Sequence, residues 1–205
     1  MVQEWIRCHS KVCHHPTFDI TGLYIQRIRT GDFCMADINK IPDDVKWKLA
    51  AECAARIPAL YDAAFRDIAG DRYDGIEQVI WMELSRTAFE IAHTLSLPVG
   101  SAEDLAETLK TVMIILFGPG FSSESIRVSE DRAVIVVKRC PLIDEGTALG
   151  AGGIRTFHKC MALTLTAIPH LNKNYTARFV RTMCDGDRQC EIKIGRSEDP
   201  IQKSP

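Results

Sequence analysis

The sequence predicts an α+β domain in which helices come first and strands come last. Three observations lead there. From Val45 to Leu116 apolar residues recur every three to four positions, the spacing that lines one side of a helix. After Gly118-Pro119-Gly120 the period shortens towards two and β-branched residues take over, as in strands. The turn pairs Glu130-Asp131 and Asp185-Gly186 then separate short apolar runs, a hairpin pattern. With 205 residues and 46% hydrophobic content, the chain can bury one good core.

The first helix is expected from Pro42, with Asp43 and Asp44 in its first turn, where proline and acidic residues suit the free N–H groups. Its stripe is Val45, Leu49, Cys53, Ile57 and Leu60, which reads as a buried face and makes Cys53 a core residue. Pro58 should kink this helix or end it early. A second helix runs from about residue 73 to Pro98-Val99-Gly100, with Ile76, Ile80, Leu84, Ala88, Ile91 and Leu95 on one face. Ser101 and Asp104 have the spacing of a capping box and open a third helix carrying Leu105, Leu109, Val112, Met113 and Leu116.

Ile126 and Val128, the turn at Glu130-Asp131 and the run 133–137 form a hairpin that delivers the chain to Cys140-Pro141. Gly146, Gly150, Gly152 and Gly153 then read as a loop, without the lysine of a phosphate-binding loop, before a helix over about 154–168. Strands over 175–183 and 189–194 complete the domain. Domain organisation follows: residues 1–34 as a loosely ordered extension or a misassigned start, 35–196 as a single α+β domain, and 197–205 as a disordered tail. The amino-terminal group Cys8, His9, Cys13, His14, His15 and Cys34 matches no zinc-finger spacing.

A formal charge of −2, a pI near 6.3 and 7% aromatic residues offer neither a basic stripe nor a stacking platform, which excludes nucleic acid as the expected partner. No apolar run reaches spanning length, and the first residues lack the layout of a secretory signal. A cytoplasmic protein without a membrane partner is expected, with homodimer formation left open.

Eight cysteines in such a compartment point to metal binding or catalysis rather than to disulfides. Four of them, Cys140, Cys160, Cys184 and Cys190, stand beside turns, a proline or a helix start. Converging thiolates suit zinc, iron or an iron–sulfur cluster, and they are also nucleophiles. His158 and Cys160, two apart on a helix, point about 200° apart, and Cys160 is favoured as the ligand. His170 follows Pro169 at a helix end, where a cation suits the dipole. The hairpin geometry sets a condition on this site. A two-residue turn at Asp185-Gly186 would put Cys184 opposite Asp187 and Cys190 opposite Arg181, on different faces. A five-residue loop, 185–189, would set Cys184 opposite Cys190. The competing reading makes all four cysteines small buried hydrophobes.

Cys140-Pro141, the glycine-containing loop, Cys160 in a helix and the closing Gly186-Asp187-x-x-Cys190 resemble the L-2-amino-thiazoline-4-carboxylic acid hydrolase-like proteins. The closing pattern Cys-x-Gly-x-x-x-Cys-x-apolar is similar to the end of the four-vinyl-reductase-type small-molecule-binding domain. The resemblance covers about residues 40–195, with Ile192 where a phenylalanine is expected. It implies amino-terminal helices packed on a small antiparallel sheet of late strands and hairpins, and a domain that binds a small organic molecule.

Three functions compete, in this order. The first is a small-molecule-binding protein with a cysteine-rich metal site, zinc or iron–sulfur, on Cys140, Cys160, Cys184 and Cys190. The second is a metal-dependent hydrolase of a small cyclic carboxylate, with Arg178 or Arg181 on the substrate carboxylate, Asp187 or His170 as proton acceptor, and an open metal position. Its variant uses an exposed low-pKa thiol, Cys140 or Cys160, beside Arg181. The third is an iron–sulfur redox protein. Full four-cysteine ligation is closed to water and favours structural zinc or a cluster.

Overall fold

The computed structural model describes residues 37–70 and 72–197. The amino-terminal cysteines and histidines, 8–34, and the tail 198–205 lie outside the described residues. Contacts divide the chain between Lys40 and Ile41. Before that division, Asp37 closes a 3-10 turn, Ile38–Lys40, by accepting the Asn39 N–H on its carboxylate and the Lys40 N–H on its carbonyl.

In the second unit five helices are described: α1 (Asp43–Ala69), α2 (Arg72–Thr94), α3 (Ala102–Phe117), α4 (Pro141–Ala148) and α5 (Ile154–Leu171). The four strands described there are β1 (Ser122–Ser129), β2 (Arg132–Arg139), β3 (Tyr175–Arg181) and β4 (Cys190–Arg196). They form one antiparallel sheet in the order β1-β2-β4-β3. The fold is α+β, with the helices early and the strands late.

The first helix departs from the periodicity reading. Its buried face is Ala51, Ala55, Ala59 and Asp62, whereas Leu49, Cys53, Ile57 and Leu60 are exposed. Cys53 is therefore no core residue. The helix carries two apolar faces; periodicity selects the bulkier one, but the narrow alanine face lets α1 come close to α3 and α4. The chain also passes Pro58 without terminating. On α2 the buried set is Tyr73, Glu77, Trp81, Ser85, Ala88 and Ala92, one position round from the expected stripe, so Ile76 and Ile80 face outwards.

The capping box on α3 is formed as expected. Ser101 Oγ accepts the Asp104 N–H at 3.1 Å and Asp104 Oδ2 accepts the Ser101 N–H at 3.0 Å. Leu105, Leu109 and Val112 from this helix meet Ala133, Ile135, Ile192 and Ile194 of the sheet and Leu163 and Ile168 of α5 in the core. Part of the expected glycine loop is instead α4, started by Pro141 at its first position. Gly146 is required inside it because a Cβ there would stand 2.7 Å from Thr156 Oγ1, a close approach between α4 and α5.

A buried ionic network joins α1, α2 and α5. Asp62, 0% exposed, takes two hydrogen bonds from Arg66, at 2.7 and 3.2 Å, and lies 3.3 Å from Lys159 Nζ. Lys159, 3% exposed, reaches Glu77 at 3.2 Å, and Glu77 accepts from the Tyr73 hydroxyl at 3.2 Å. Arg66 also holds Asp74 at 2.7 Å, and Arg155 stands 3.5 Å from Asp62. Burial alone raises the Asp62 carboxyl, but the Arg66 hydrogen bond and the charges of Lys159 and Arg66 outweigh it and lower it from 3.8. For Glu77 burial prevails and pushes the carboxyl up from 4.5 despite Lys159. No periodic stripe announces these residues, since each is a polar position on an otherwise apolar face.

Candidate functional site

The site is built around the connection 182–189 between β3 and β4. Neither hairpin expected from the sequence forms there. Arg181 pairs with Glu191, and the chain makes a 3-10 turn, Met183–Asp185, before entering β4 at Cys190. The connection is clasped at its root. Thr182 N–H donates to Asp187 Oδ2 at 2.9 Å while Asp187 N–H returns to the Thr182 carbonyl at 3.2 Å. Thr182 Oγ1 accepts the Cys184 N–H at 3.2 Å. Gly186 ends the turn at φ 95°, the left-handed region that glycine enters without strain.

This turn lies against α5, which brings Cys184 and Cys190 towards Cys160. Cys140, at the end of β2, is the residue before α4. The four thiols share one neighbourhood: charge on Cys184 and Cys190 raises Cys140, and charge on Cys140, Cys190 and Cys184 raises Cys160. Burial is the larger cause in each case. It pushes Cys140 and Cys184 up to about 11 and Cys160 well above its ordinary value, although the Ile143 and Leu142 N–H groups favour the Cys140 thiolate. Cys190 is buried, with Sγ 3.3 Å from the Met183 N–H. Cys140 and Cys160 are therefore the opposite of the exposed low-pKa thiols expected for thiol nucleophiles. Among the described residues no three His, Cys, Asp or Glu side chains are arranged to hold a metal ion.

The outer side of the same connection forms a cleft of about 560 Å³ lined by Lys138, Arg181, Asp187, Arg188 and Gln189. Arg181 enters it because Val180 is an extra residue in the β3–β4 ladder. That bulge puts Arg178 and Arg181, three positions apart, on the same outer face. Phe179 points the other way and meets Phe157 edge-on at 5.2 Å. Arg181 contacts Glu191 at 3.3 Å and Lys138 contacts Glu124 at 2.7 Å, so these two glutamates moderate the cations without lining the cleft, and Asp187 is the acid that does line it. Arg178 is not among the lining residues, and its Nε is buried without a hydrogen-bond partner among the described residues.

The two nominated proton acceptors, Asp187 and His170, stand in different places. Asp187 lines the cleft, but one of its carboxylate oxygens is engaged by Thr182. His170 lies ten residues along α5 from Cys160, about 15 Å by the helical rise. Its Nδ1 is 2.8 Å from Ser85 Oγ on α2, a link between two helices. His158 is exposed. Sequence reasoning missed Lys138 and Arg188 because only the return of β2 beside β4 brings the former to the connection.

No helix of the described residues is long and apolar enough to cross a membrane. No protein-family model matches the sequence, and no curated protein matches it. Among solved structures the chain is similar to a trafficking protein particle complex subunit 3 from Naegleria fowleri covalently bound to palmitic acid. The TM-score is 0.52 at 17% identity, over 74% of this chain and 97% of that one. At that identity the similarity establishes a shared fold.

Proposed function

We propose that this chain is a cytoplasmic small-molecule-binding domain whose ligand carries an anionic group held by Arg181, Arg188 and Lys138. The observation that carries this reading is the cleft on the outer side of the 182–189 connection, lined by three cations and one acid. Guanidinium groups suit a carboxylate because their paired N–H donors match its two oxygens. The likeness of the carboxy-terminal motif to a small-molecule-binding domain supports the same class, as does a solved neighbour of this fold that holds palmitic acid.

The test is calorimetric titration of the purified chain with 2-amino-thiazoline-4-carboxylate, acetate and palmitate, alongside an Arg181→Ala, Arg188→Ala double variant. Binding that falls at least about tenfold in the variant, the worth of one charge-assisted contact, supports the proposal. Absence of binding to all three, or binding indifferent to both arginines, overturns it. Following the thiazoline for release of cysteine in the same samples separates a hydrolase from a binding module.

A second reading places zinc or an iron–sulfur cluster on Cys140, Cys160, Cys184 and Cys190. Their common neighbourhood is the observation behind it; because no three of these side chains are arranged to hold an ion among the described residues, they would have to close around it, and a metal would then deprotonate thiols that burial otherwise keeps protonated. Metal content and visible absorption of anaerobically purified protein decide it, with a Cys184→Ser, Cys190→Ser variant as control.

A further inference from the structure

The charges around the cleft at the 182–189 connection are not all equally available. Lys138 lies 2.7 Å from Glu124 and Arg181 lies 3.3 Å from Glu191, and neither glutamate lines the cleft. Arg188 is exposed, and no acid is paired with it among the described residues. Asp187 lines the same cleft. Its Oδ2 accepts the Thr182 N–H at 2.9 Å, which fixes the carboxylate at the root of the connection, whereas Oδ1 has no hydrogen-bond partner among the described residues. Next in the chain, Gln189 donates through Nε2 to Glu191 at 2.9 Å, which leaves its side-chain carbonyl as a further acceptor.

We infer, resting on the anionic reading proposed above, that the ligand of this cleft is an amino acid in its zwitterionic form, with its carboxylate on Arg188 and Arg181 and its ammonium on Asp187 Oδ1. Two of the three cations are already opposed by a glutamate. A ligand carrying only negative charge therefore meets one uncompensated cation, Arg188, and one uncompensated carboxylate, Asp187, that repels it. An ammonium on the ligand removes that repulsion and gives Asp187 Oδ1 a charged donor, and the Gln189 carbonyl can take another of its N–H groups. Asp187 and Arg188 are consecutive and line one cleft, which suits opposite charges only a few bonds apart. A dianion lacks a second free cation here, and a simple amine lacks the carboxylate that guanidinium groups match. These contacts are open to solvent, so what they supply is discrimination between ligands at modest affinity.

Calorimetric titration of the full chain with three matched pairs provides the test: glycine and acetate, norvaline and pentanoate, phenylalanine and 3-phenylpropionate. At least one amino acid is expected to bind about threefold or more tighter than its des-amino partner, the worth of one solvent-exposed ion pair. Asp187→Asn keeps an oxygen for the Thr182 N–H and puts an uncharged donor in place of Oδ1, so its helical content and melting should match the parent. In this variant the amino acid should bind about threefold more weakly, while the des-amino acid should bind more tightly because the repelling charge is gone. The comparison within each pair uses the unaltered chain and so decides the matter even if the variant fails to fold. Equal affinity within every pair, or tighter binding of the des-amino acids, overturns the zwitterion; if that binding is lost in the Arg181→Ala, Arg188→Ala variant, the anionic site itself stands. Binding of no member of any pair overturns both. A preference for the amino acid that a folded Asp187→Asn leaves unchanged puts the ammonium on another group and equally overturns the assignment.

Discussion

The Lys159 ammonium of α5 lies 3.3 Å from the Asp62 carboxylate of α1, and neither side chain meets solvent. Two long helices thus rest on an ion pair where a core would ordinarily place leucine. Such a pair is weak as a source of stability but costly to break, because the surviving charge stays buried.

Asp62→Asn is expected to destabilise the protein by about 3–5 kcal/mol, the cost of an uncompensated buried partner. Glu77→Gln should be tolerated within about 1 kcal/mol, since the amide keeps an acceptor for Tyr73 and removes a charge that burial disfavours. Urea denaturation of both variants checks the ordering, and equal losses would show that the network does not distinguish the two carboxylates.

The pH dependence follows from opposite shifts within the network. The Asp62 carboxyl is lowered in the folded chain, so its contribution is complete above 3.8 and is lost as pH falls through the lower folded value. The Glu77 carboxyl is raised. Its contribution is complete below 4.5 and is lost as pH rises through the higher folded value. Denaturation midpoints across this range should therefore show a decline on the alkaline side that Glu77→Gln removes and an acidic decline that it leaves in place.

Thiol reactivity should follow burial. With Cys140 and Cys184 pushed up to about 11, alkylation of both should accelerate about tenfold per pH unit between neutrality and that value, in step with the thiolate fraction. Peptide mass mapping after iodoacetamide pulses measures it. A rate already saturated at neutral pH would mean that the thiolates are stabilised by a bound cation.

Gly186→Ala should cost about 1–2 kcal/mol, because φ 95° drives a Cβ against the backbone. The strain falls on the turn that holds Cys184 beside α5. Faster alkylation of Cys160 in this variant, with the remaining core protected in hydrogen exchange, would locate the loosening at the thiol neighbourhood.

The three-residue spacing of Ser101 and Asp104, the Glu130-Asp131 turn and the continuous β-branched run of β2 each carry local chemistry. Caps, turns and β-branched runs are satisfied within a few residues, so α3 and the first hairpin could be read directly. By the same token the cysteines could be singled out by their neighbours in sequence. What lay beyond reading depends on partners distant along the chain. Whether α1 turns its alanines or its leucines inwards is decided by how closely α3 and α4 approach, and Gly146 joins a helix because Thr156 leaves no room for a side chain. Asp62 and Lys159 are 97 positions apart, and Lys138 reaches the β3–β4 connection only through the return of β2 beside β4. Sequence alone determined the order of helices and strands and the residues able to carry chemistry. Tertiary structure decided which faces are covered and which charges meet, because burial and long-range pairing are properties of the assembled surfaces and not of any local period.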